Sequence, residues 1–73
     1  MHDDIKYIQN TLWAMYKKFE SDFDVKSYTD QAACLCRKYK DNALMLNFCQ
    51  NQVISWTPVI NLMSEKHRKE SAA

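Results

Sequence analysis

The sequence predicts an all-α fold, a three-helix bundle, and three observations carry that expectation. The chain has no glycine and a single proline, whereas the tight primed turns of β-hairpins are built largely on glycine. Its apolar residues recur every three or four positions, the period of a helix with one buried face. Its charges fall in blocks, acids opening and bases closing each of three segments. That order complements the helix macrodipole by about 0.3–1 kcal/mol at each end.

In the first segment Ile5, Ile8, Leu12, Met15, Tyr16 and Phe19 share a face, with Asp3 and Asp4 ahead of them and Lys17 and Lys18 behind. In the second, Val25, Tyr28, Ala32, Leu35, Cys36 and Tyr39 form the stripe, opened by Asp24 and Asp30 and closed by Arg37, Lys38 and Lys40. The joints fall at residues 21–24 and 40–42, where Asp and Asn can cap a helix or visit left-handed conformations without glycine. The third stripe runs through Leu46, Cys49, Val53, Trp56, Ile60 and Met63, with Asp41 before it and Lys66, Arg68 and Lys69 after it.

Pro58 interrupts that third segment. Thr57 and Pro58 together suit the start of a new helix, which would make four short helices. The stripe, however, keeps its phase across the proline, and a fresh helix would have no reason to inherit the register. The expectation is one long third helix of about 27 residues, or ~40 Å, kinked at Pro58. It would overhang two partners of nearer 16 residues or bend around them.

Seventy-three residues, 47% hydrophobic and 26% charged, make one small domain over 1–73, near the lower limit for an unstapled core. Residues 66–73 read as a basic helix end that frays. The net charge of +1 supplies no overall field for nucleic acid or an anionic membrane. The opening "MHDDIKY" has no apolar run of the signal-peptide kind, and three cysteines are an odd set for a small secreted chain. The expected compartment is the cytoplasm. Residues 42–64 carry no charge but hold nine polar side chains, so no membrane span is expected.

Chemistry has little to stand on. Cys34 and Cys36 are two residues apart, about 200° around a helix, and cannot easily share a metal or a disulfide. Cys36 and Cys49 fall on core stripes, where a thiol acts as a small hydrophobe, leaving Cys34 as the exposed thiol. His2 and His67 pair with no cysteine in sequence. No phosphate loop, nucleophile elbow or His-Glu metal helix is present. The expectation is no enzyme, no cofactor and no metal.

Two functions compete for the remaining surface. As a DNA-binding or transcription-accessory protein, the chain would use residues 28–48 as helix, turn and recognition helix. Asn47, Gln50 and Asn51 could read adenine edges, but residues 42–64 offer no Lys or Arg to phosphate. The favoured reading is a small helical interaction module: a homodimer, an adaptor or an inhibitor docking on a larger protein. Tyr7 lies opposite the first stripe and Trp13 on its flank. Leu44, Phe48, Val59 and Leu62 widen the third helix's apolar arc beyond what two neighbours need. Asn47, Gln50, Asn51, Thr57 and Asn61 surround Ile54 on an uncharged face. Charge depletion beside aromatics and Met marks interface cores. The partner-binding candidates are therefore Trp13, Leu44, Asn47, Phe48, Gln50, Asn51, Ile54, Asn61 and Leu62, and the partner is another protein or a second copy.

Overall fold

The computed structural model describes residues 2–72, with side chains through residue 70. Three helices follow one another: α1 His2–Asp22, α2 Val25–Lys38 and α3 Ala43–Ala72. Each packs against the other two. Only residues 23–24 and 39–42 lie outside helices among those described. Connections this short turn each helix back along its predecessor, giving an up-down-up bundle. Its extents are 46 × 16 × 16 Å, and the long dimension matches the ~45 Å that the 30 residues of α3 span at the standard rise.

The helix ends show how a glycine-free chain turns. Phe23 takes a left-handed conformation, φ 51°, and its N–H donates to the Phe19 carbonyl at 2.7 Å. Asp and Asn were the residues expected in that conformation; here they cap instead. The Asp24 side chain accepts from the Ser27 N–H at 3.0 Å to start α2. Asn42 Oδ1 accepts from the Met45 N–H at 3.2 Å to start α3. Phe23 is held by its surroundings, with Phe19 edge-on at 5.4 Å between ring centroids and His67 stacked at 3.9 Å and 7°. Because of that stop, α1 runs past Lys17 and Lys18, and no base stands in its last turn. Lys18 instead bonds Ser27 Oγ at 2.8 Å across the turn and lies 3.6 Å from Asp22.

The core is the apolar stripes brought together. Ile8, Leu12, Met15 and Phe19 of α1 meet Tyr28, Ala32 and Leu35 of α2, with Tyr39 just beyond it and Met45, Cys49 and Ile60 of α3. Two stripe assignments change. Val25 is exposed, because it opens α2 before the helix is covered, and Met45 is buried where Leu46 was expected to lead. Ile5, Cys36, Leu46, Val53, Trp56 and Met63 pack partly buried around that centre. Burying each large side chain is worth about 1.5–3 kcal/mol, whereas the exposed Lys26–Asp30 and Glu65–Lys69 pairs add only about 0.3–0.5 each.

α3 passes through Pro58 without a break, so the four-helix alternative falls. Pro58 has no N–H to give the Ile54 carbonyl, but both residues are exposed and water can take the vacated bond. The Thr57 hydroxyl donates to the Val53 carbonyl at 2.9 Å, one residue away. The helix also continues through residues 66–72 of the segment expected to fray; Ala73 lies outside the described residues.

Pro58→Ala should stabilise the folded protein by at least about 1 kcal/mol, since it restores a helical hydrogen bond and removes the ring's clash. Urea unfolding of the two chains measures this; a loss of stability would mean that α3 depends on the proline.

Candidate functional site

Around α3, the buried line of Cys49, Ile60 and Met45 fixes which residues face away. On the far side stand Leu44, Asn47, Asn51, Ile54, Pro58, Asn61 and Leu62, all exposed, with Gln50 exposed at its margin. Three of these are large aliphatics: Leu44 is 57% exposed, Ile54 66% and Leu62 56%. Val59, read as part of a widened buried arc, is exposed as well. That arc is therefore surface and not core, because two neighbouring helices cover less of α3 than its sequence could bury. Phe48 alone of the surplus set is half-buried, packed against the core.

Between this face and α1 runs an aromatic line. Trp13 lies 5.2 Å from Tyr16, and Tyr16 lies 5.2 Å from Trp56, centroid to centroid, both pairs tilted. Trp13 and Trp56 line a shallow cleft of about 330 Å³ with Gln9 and Gln52. Tyr16 donates its hydroxyl to Glu20 at 3.2 Å. That bond to a carboxylate, with its charge, raises the phenol above its ordinary value. Trp13, 54% exposed, is the flank residue that joins the cleft to solvent.

A second cleft, about 410 Å³, opens between α1 and α2, with Tyr7, Met15, Leu35 and Lys38 in its walls and Cys34 beside them. Lys38 Nζ sits 3.9 Å over the Tyr7 ring, a cation–π contact. Sequence reading isolated Tyr7 and Cys34 but not the cleft, whose existence depends on how α1 and α2 are paired. No signal along the chain gives that pairing.

The thiols separate by depth. Cys34 is exposed, Cys36 is half-buried rather than fully covered as its stripe position implied, and Cys49 is fully buried. Burial, reinforced by the Cys36 sulfur, pushes the Cys49 thiol up to about 12. Burial also raises Tyr28 and, together with Asp4, Tyr39. The Tyr28 hydroxyl finds no partner among the described residues. No group of three or more His, Cys, Asp or Glu is gathered among those residues in a way that could hold a metal ion, and none of their helices is long and apolar enough to cross a membrane.

No family model matches the chain, and neither a curated protein nor a solved structure shows significant similarity to it.

In native buffer an alkylating reagent should label Cys34 first, Cys36 more slowly, and Cys49 only as fast as the fold opens. Equal rates for Cys34 and Cys49, read by mass spectrometry, would place α3 in a different rotation. A second expectation concerns alkaline stability. Below pH 9, the ordinary thiol value, Cys49 is protonated whether folded or not and pH has no leverage through it. Between pH 9 and about 12 the unfolded thiol ionises and the folded one does not, so stability should fall by on the order of 1 kcal/mol per pH unit. Denaturant unfolding at pH 8 and pH 10.5 tests this, and a flat profile would show that Cys49 is not enclosed.

Proposed function

We propose that the chain is a non-catalytic helical interaction module that docks the outer face of α3 onto another protein or a second copy of itself. The observation that carries this reading is the exposure of Leu44, Ile54 and Leu62 along a stretch, residues 42–64, without a single charge. Water gains nothing from an aliphatic side chain, so a clustered set of them on one face of a small protein favours a partner. Asn47, Gln50, Asn51 and Asn61 ring Ile54 with neutral amides. They can bond across an interface without the desolvation cost of a charge. Trp13 extends the surface with an aromatic anchor of the kind that dominates binding energy.

The bundle's shape speaks for this reading over the DNA-binding one. A helix-turn-helix needs two helices crossing at roughly 90–120°, and a 16 Å cross-section leaves little room for such a crossing. Of the three bases closing the second segment, Lys38 is engaged with Tyr7.

Ile54→Arg should leave helicity and thermal midpoint unchanged, because the residue is exposed, while weakening association by more than about 2 kcal/mol, roughly 30-fold. Sedimentation equilibrium over a concentration series reads self-association, and immobilised native and variant chains compared on one extract read heterologous binding. A native chain monomeric at every concentration, together with equal retention of every captured protein by Ile54→Arg, would overturn the proposal.

A further inference from the structure

Cys36 in α2 and Cys49 in α3 bring their sulfurs to 3.5 Å, van der Waals contact between side chains on different helices. We propose that these two residues are an oxidation site: they form an intramolecular disulfide by exchange with a low-molecular-weight disulfide, joining α2 covalently to α3.

The geometry divides the roles. A disulfide has its sulfurs about 2.04 Å apart, so closing the bond moves them by about 1.5 Å, within reach of modest side-chain rotations. Cys36 is half-buried and Cys49 wholly enclosed, so an outside reagent meets Cys36 first. Its thiolate attacks one sulfur of the small disulfide, forming a mixed disulfide and expelling one small thiolate, which takes up the proton that Cys36 lost. Cys49 then attacks the Cys36 sulfur beside it. The Cys36–Cys49 bond forms, the mixed disulfide breaks, and the second small thiolate leaves with the Cys49 proton. The protein loses two hydrogens, and one small disulfide is reduced to two thiols. Cys34 takes no part: it is exposed on α2, about 200° around the helix from Cys36. Burial holds the Cys49 proton tightly, which slows the second step.

The bond would enclose the α2–α3 connection, a 13-residue separation. A loop of that size stabilises the fold by restricting the unfolded chain, and for a domain this small the thermal midpoint should rise on the order of 10–20 °C.

Incubating the full chain with oxidised glutathione tests this. The expected product has a peptide map joining Cys36 to Cys49, a raised midpoint, and an intact mass lower by two hydrogens apart from the glutathione that the exposed Cys34 takes up, all reversed by dithiothreitol. Cys34→Ser should form the same bond with the same rise in midpoint, and its mass should fall by two hydrogens alone. Cys36→Ser should gain glutathione only on Cys34 and show no rise; if circular dichroism shows that this variant unfolds, the native peptide map decides alone. A bond from Cys34 to either partner would overturn the proposal. So would Cys36 and Cys49 remaining alkylatable after unfolding of the oxidised sample. In that case the two sulfurs are packing neighbours and nothing more.

Discussion

Phe23 adopts a left-handed backbone that costs a residue with a β-carbon about 1–2 kcal/mol, and the bundle depends on that conformation being kept. At φ 51° its N–H closes α1 on the Phe19 carbonyl and the chain reverses in two residues, delivering Asp24 to cap α2. The strain is offset by the ring. Phe19 stands against one side and His67, from the far end of α3, stacks on it. Through its backbone and its ring, one residue thus joins the end of the first helix to the start of the second and to the distal part of the third. A glycine would make the turn without that penalty, but it would leave His67 nothing to rest on.

From that turn the rest follows in order. α2 returns along α1, and Tyr28 and Phe19 meet edge to face at 6.0 Å. Asn42 then caps α3, which lies against both predecessors with Cys49 and Ile60 innermost. Two helices can cover only part of a third. The stripe of α3 nearest them fills the core, and the remainder, Leu44 through Leu62, is left to solvent or to a partner.

Much of this was legible in the sequence because a periodic stripe and a cap are local signals. The three-helix count, the continuity of α3 across Pro58, and the exposure of Ile54 and Cys34 all come from phase within one segment. What was not legible depends on neighbours. Met45 and Leu46 differ by one step of rotation, and only the placement of α1 and α2 selects Met45 for the interior. Val25 has the right phase but sits at an end that nothing covers. Phe23 was unreadable as a left-handed residue because its stability comes from His67, 44 positions away. The Cys36–Cys49 contact is hidden for the same reason, whereas the Cys34–Cys36 spacing, which draws the eye, joins nothing.

The two short connections also bear on how quickly the chain finds its fold. Closing a loop of two or four residues forfeits little chain entropy, so α1 with α2, and α2 with α3, can each meet as a helical hairpin without a long search. The α1–α3 contacts and the Phe23–His67 stack bridge the most distant parts of the chain. Either hairpin prepares them by laying its helices side by side. Helical proteins built this way fold in microseconds to milliseconds. Little time is then spent with apolar surface open to other chains.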